Sequence, residues 1–134
     1  MSRVVVVDTH IAVWALADRS QLSAPSTAAL TAADANGDII VSAITLIELT
    51  YLTEKGRLAA TVLTTVQSAI DDPTTAFRLA PIDRAVTDAL AQISRAIVPD
   101  MPDRIIAATA LALGLPLVTQ DTEIRKLTNV ATVW

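Results

Sequence analysis

The 134-residue chain has no cysteine, so disulfides and thiolate metal sites are excluded. Its single histidine, His10, disfavours an imidazole-rich zinc centre and a Ser-His-Asp triad. Any metal would then rest on oxygen ligands, which points to magnesium or manganese. Charge is scarce as well: 18% of residues are charged against 52% hydrophobic, with a mean hydropathy of +0.50. Yet no apolar run approaches the roughly 18 residues of a membrane-spanning helix. Asp8 and His10 interrupt the one candidate signal segment. The expectation is a soluble, cytoplasmic protein with a large apolar interior and spare apolar surface for partners. There is no basic excess; the formal charge is -4, which argues against holding nucleic acid by bulk electrostatics. A nuclease remains open. Setting four of the 14 acids aside for a metal leaves the rest balanced by the 10 bases. Repeats, linkers and low-complexity tracts are absent, and the length fits one domain, 1–134, with a real core.

What is present begins with VVVVDTH. Four valines in a row suit a strand buried on both faces, as in a parallel sheet under helices. That strand stops at Asp8, ahead of Thr9, His10 and the helix-like IAVWALA. Asp8 can be read as a helix cap, or as part of a site if other acids join it.

The chain alternates strand and helix with short turns. Val4–Val7 is the first strand, followed by a helix over 11–17 with Trp14 on its apolar side. Ser23 and Pro25 open a second helix, closed by the turn at 35–38. A second strand covers 39–41. Ser42 caps the helix AITLIELTYLTEK, which Gly56 ends. Helix periodicity follows over 58–70, a short strand over 77–80, and helix periodicity again over 83–97 through Val86, Leu90, Ile93 and Ile97. DRIIAATALAL is a helix ended by Gly114, PLVT at 116–119 a strand, and 130–133 a fifth strand. This alternation predicts an α/β domain with a mostly parallel sheet. Strand C-termini and helix N-termini then share one edge, where ligands bind.

Four acids fall on that edge. Asp8 ends the first strand, Asp121 follows PLVT, and Asp103 opens the helix DRIIAATALAL. Glu48 is the only charge between Ser42 and Thr53, on a face with Ile44, Ile47 and Tyr51, where an unpaired carboxylate is costly. Each has a purely structural alternative. Asp100 and Asp103 resemble a capping pair around Pro102, Asp121 could cap TEIRKL, and Glu48 could pair with an arginine. Separate capping events do not explain why all four land on one edge. Carboxylates packed that closely repel and call for a cation. Magnesium or manganese there would activate water and hold phosphoryl oxygens for in-line attack. Thr9 and Thr119 are candidates to orient carboxylates or water; the alternative is an ordinary strand-end threonine. His10 is read as a solvated helix-start histidine, the alternative being a phosphate contact, Arg104 as a phosphate contact or an ion-pair partner, and Asp100 as a cap.

The segments VVDTHIAVWAL, VSAITLIEL and PDRIIAATALALGLPLVTQD, with the closing Trp134, resemble the PIN-domain ribonucleases, specifically the VapC toxins of bacterial toxin–antitoxin operons. The likeness covers essentially the whole chain. It implies a PIN-like three-layer α/β/α domain with a mostly parallel, about five-stranded sheet. It also implies that Asp8, Glu48, Asp103 and Asp121 take the family's four acidic positions, which bind magnesium or manganese and support endonucleolytic cleavage of RNA. Partners implied are a VapB-type antitoxin lying across the site and a second copy in a homodimer. The extra acid in PDMPDR departs from the commoner pattern. Two other readings compete. A phosphoacceptor receiver domain needs a lysine after a late strand, and neither Lys55 nor Lys126 follows one directly. A catalytically inert PIN-like RNA-binding or assembly module predicts missing acids, and none is missing.

Overall fold

Val4–Val7 forms strand β1 at the centre of a parallel sheet, and its alternation explains the layering. Val5 and Val7 enter one apolar layer and Val6 the other, all at most 1% exposed, as a strand covered on both faces requires. The computed structural model describes residues 3–134. Its further strands are β2 (Asp38–Ser42), β3 (Phe77–Ala80), β4 (Leu117–Val118) and β5 (Thr132–Val133), and its helices are α1 (Thr9–Ala17), α2 (Ala24–Asn36), α3 (Ala43–Glu54), α4 (Ala60–Asp71), α5 (Arg84–Leu90) and α6 (Met101–Leu113). All strand pairings are parallel. One layer is built on Ile11 of α1, Leu30 of α2, Leu49 of α3 and Val66 of α4. The other gathers Val86 of α5, Ile106 of α6 and Ile124. This is the expected α/β/α arrangement.

Strand order is β3-β2-β1-β4-β5. From β1 the chain steps outward to β2 and β3, then returns to lay β4 on the other side of β1. Connections leaving the carboxyl ends of β1 and β4 therefore diverge, and a crevice opens between them at the edge where such sheets bind ligands. The register Val7↔Val118 brings the two strand ends level.

Local chemistry sets the element ends. The side chains of Asp8, Ser23, Ser42, Asp83 and Asp100 each accept a hydrogen bond from a first-turn amide, satisfying donors a helix cannot pair internally. Gly114 ends α6 in the left-handed region at φ +65°, as a glycine after a helix does. Gly37 has a different reason. A Cβ there would stand 1.6 Å from the carbonyl oxygen of Arg3, so the approach of β1 to β2 needs a residue without a side chain.

The main departure from the pattern concerns 83–97. The helix ends at Leu90, and 91–99 runs in turns. Val86 and Ile93 still point inward, at 4% and 1% exposure, so the apolar spacing reported burial correctly and geometry wrongly. Side chains from elsewhere take the carbonyls a longer helix would have paired: Arg104 Nη2 donates to Leu90 O and Ile93 O, each at 3.1 Å, and Asn129 donates to Gln92 O at 2.9 Å. Smaller differences are the start of α4 at Ala60, the shortening of the last two strands to two residues each, and 3-10 turns at Arg19–Gln21 and Ile124–Lys126.

Candidate active site

Asp8 occupies two roles at once. Its Oδ1 accepts from the amide of Ile11 at 2.9 Å, capping α1, while Oδ2 accepts from the Thr119 hydroxyl at 2.5 Å. The residue is only 6% exposed. Thr119, fully buried after β4, in turn accepts from the amide of Asp121 at 3.0 Å, so one hydroxyl ties together the two strand ends that flank the crevice. Asp121 caps the following turn, its Oδ1 accepting from Glu123 N at 2.8 Å and Ile124 N at 3.0 Å. Capping and membership of an acidic site turn out to be compatible, because a carboxylate has four lone-pair positions and a cap uses one or two.

Glu48 reaches the same edge from the second turn of α3. Thr9 Oγ1 donates to its Oε1 at 2.6 Å and lies 3.1 Å from Thr45 Oγ1. Since the Thr9 proton is directed at Glu48, the buried Thr45 hydroxyl donates to Thr9. The apolar face expected around Glu48 is only partly buried: Ile44 is covered, but Ile47 and Tyr51 are 56% and 55% exposed. Glu48 is half-buried, and its partner is a threonine, not an arginine.

Asp103 stands in the first turn of α6, not at its opening. Asp100 is the cap, its Oδ2 accepting from Asp103 N at 3.1 Å. Asp8, Glu48, Asp103 and Asp121 all line one cavity of about 530 Å³, within the range of ligand sites. Exposed His10 sits on its wall, whereas Asp100 does not line it. Arg104 also does not: its Nη2 donates to the Leu90 and Ile93 carbonyls, and among the described residues it forms no ion pair with an acid.

The electrostatics follow from this geometry. Burial pushes the carboxyl of Asp103 up from 3.8 to about 7, helped by the negative charges of Asp100, Asp121 and Glu48. Asp8 is raised mainly by burial, with its bonds to Thr119 and Ile11 opposing. Glu48 is raised by burial, opposed by the Thr9 bond. Among the described residues no arginine or lysine lines the cavity, and no three acidic or imidazole groups stand arranged to hold a metal ion as they are. Like charges do not draw together unaided. The donor set nevertheless fits a hard divalent cation: carboxylate oxygens from four elements, partly desolvated and, among the described residues, with no arginine or lysine beside them.

Thr45 escaped the sequence reading, although a hydroxyl three residues before Glu48 on one helix face was a usable signal. Trp14, Gln120 and Thr122 also line the cavity. Trp14, on the apolar side of its helix as the sequence suggests, is half-buried, with its ring 6.5 Å from that of Trp134 and 5.8 Å from His10.

Comparison with known proteins bears on the family and the fold. The PIN domain family model matches residues 5–130. The chain is 32% identical over 134 residues to ribonuclease VapC22 of Mycobacterium tuberculosis, covering 97% of this chain and 98% of that protein. Its fold is similar to a chain of the Rickettsia felis VapBC2 complex bound to promoter DNA, with a TM-score of 0.71 at 18% identity and 96% coverage of both chains. It is also similar to a chain of FitAcB from Neisseria gonorrhoeae, with a TM-score of 0.64 at 26% identity, covering 96% of this chain and 95% of that one.

Proposed function

The chain belongs to the PIN-domain family, and from that premise we propose that it is a metal-dependent endoribonuclease acting as the toxin of a toxin–antitoxin pair. The observation that carries the chemistry is the convergence of Asp8, Glu48, Asp103 and Asp121 on one cavity at the switch point of the sheet. The 32% identity to a VapC ribonuclease supports the substrate class.

Asp8, Glu48, Asp103 and Asp121 would hold magnesium or manganese, which supplies an activated water and charge neutralisation at a scissile phosphate. The protein's own residues do the positioning. Ile11 N–H and the Thr119 hydroxyl fix both oxygens of Asp8. Thr9, braced by Thr45, fixes Glu48. In the metal-free protein burial and the neighbouring carboxylates raise the Asp103 carboxyl to about 7, and a bound cation would return it to the ionised form that ligates.

Expression without a partner should arrest growth and produce new RNA 5' ends. Purified protein should cleave RNA with magnesium or manganese and stop with chelator. Undisturbed growth at confirmed protein levels, together with no metal-dependent cleavage, would refute the reading and favour an inert RNA-binding module. The proposal includes a VapB-type antitoxin as partner, in keeping with the VapBC complex of similar fold, and action in the cytoplasm on RNA, in keeping with the identity to a VapC ribonuclease. Among the described residues no helix is long and apolar enough to cross a membrane. A homodimer is supported by the exposed apolar side chains of Ile47 and Tyr51 on α3; light scattering at micromolar concentration checks it, and a monomer overturns it.

A further inference from the structure

Among the described residues, Trp14 is the only apolar side chain in a cavity otherwise lined by acids, threonines, a glutamine and His10. Its place follows from α1. Asp8 caps that helix, and His10 and Trp14, four residues apart, share the face turned to the cavity. Behind it, Trp134 packs at 6.5 Å with the rings tilted by 44°, an arrangement that favours aromatic pairs. The indole is thereby held in place yet only half-buried, with surface left facing the carboxylates. No arginine or lysine among the described residues lines the cavity, so a polyanionic strand entering it gains little from protein charge at this point. A neutral contact that every base can make is the complementary one. Aromatic platforms hold unstacked bases of single-stranded RNA in this way.

We propose that Trp14, flanked by His10, is a stacking platform for a nucleobase next to the scissile phosphate of single-stranded RNA. The inference rests on the ribonuclease reading above and adds a base-binding subsite to it. Because the ring is already fixed by Trp134, stacking requires little ordering of the protein.

The test uses an oligoribonucleotide spanning a mapped cleavage site, and a set of copies each carrying one abasic position. Trp14→Leu should lower kcat/KM on the intact oligonucleotide by roughly 5- to 150-fold, the equivalent of about 1–3 kcal/mol per stacked base, chiefly through KM. On the copy lacking the stacked base, parent and Trp14→Leu should cleave alike, while Trp14→Phe should stay within a few-fold of the parent on the intact strand. Equal losses on intact and abasic strands would assign Trp14 to packing alone and overturn the proposal. A second measurement does not depend on cleavage or on a leucine variant that folds. In a Trp134→Phe protein, Trp14 is the only indole, and polyadenylate should quench its fluorescence in saturable fashion. If quenching is absent, the platform does not exist. If quenching occurs without cleavage by the parent, the ribonuclease reading fails and the base-binding subsite stands.

Discussion

Replacing Asp103 by asparagine should make the metal-free protein more stable at alkaline pH while abolishing cleavage. The carboxyl is raised from 3.8 to about 7, by burial first and then by Asp100, Asp121 and Glu48. A folded-state value above the unfolded one means that protonation favours folding. The stabilisation associated with the neutral form is fully present below about pH 4 and is lost as pH rises through about 7. At 1.36 kcal/mol per pH unit, the displacement would correspond to about 4 kcal/mol for a fully desolvated group. Asp103 is only half-buried, so solvent screening reduces this to about 1–2 kcal/mol. Asparagine is neutral throughout. Urea melts with chelator at pH 4 and pH 8.5 should therefore show near-equal stabilities at the lower pH and an advantage of that size for Asp103→Asn at the higher. Adding magnesium should reverse the order at pH 8.5, since a ligand at 100 times its Kd stabilises the folded parent by about 2.7 kcal/mol. A stability difference independent of pH, or a variant less stable than the parent at pH 8.5 in chelator, would refute the reasoning.

Three further outcomes follow from other contacts. Asp8→Asn should also abolish cleavage but stay within about 1 kcal/mol of the parent by thermal melting: asparagine keeps the cap on Ile11, and the relief of a buried charge is offset by the disturbed donor of Thr119. Thr45→Val should slow cleavage several-fold at a stability cost of about 0.5–1.5 kcal/mol, because it removes the hydroxyl that braces Thr9 against Glu48; unchanged kinetics would count against a positioning role. Gly37→Ala should destabilise by more than about 3 kcal/mol or leave the protein unfolded by circular dichroism, since the added Cβ meets the Arg3 carbonyl at 1.6 Å.

The sequence by itself determined what depends on near neighbours in the chain. The valines of β1 announced a strand covered on both faces, Ser23 and Ser42 announced helix starts, and Gly114 a helix end, because each acts through its own backbone geometry. Three of the four acids were legible for the same reason: Asp8, Asp103 and Asp121 stand at strand ends or in a first helical turn, and the edge they share follows from alternating parallel topology. Glu48 was legible as a lone charge in an apolar helix, but the reason for its toleration was not. Its partner Thr9 lies 39 residues away in sequence, and no local pattern encodes that pairing. The turns that follow α5 were likewise fixed from a distance, with Arg104 taking the carbonyls of Leu90 and Ile93 and Asn129 that of Gln92. Trp14 was legible as a residue on the apolar side of its helix, but not that Trp134, at the far end of the chain, packs against it. Where caps and periodicity act, the free energy is local and the sequence suffices. Where a buried carboxylate, a carbonyl or an indole needs a partner, desolvation makes some partner obligatory, and only the tertiary structure decides which one comes within reach.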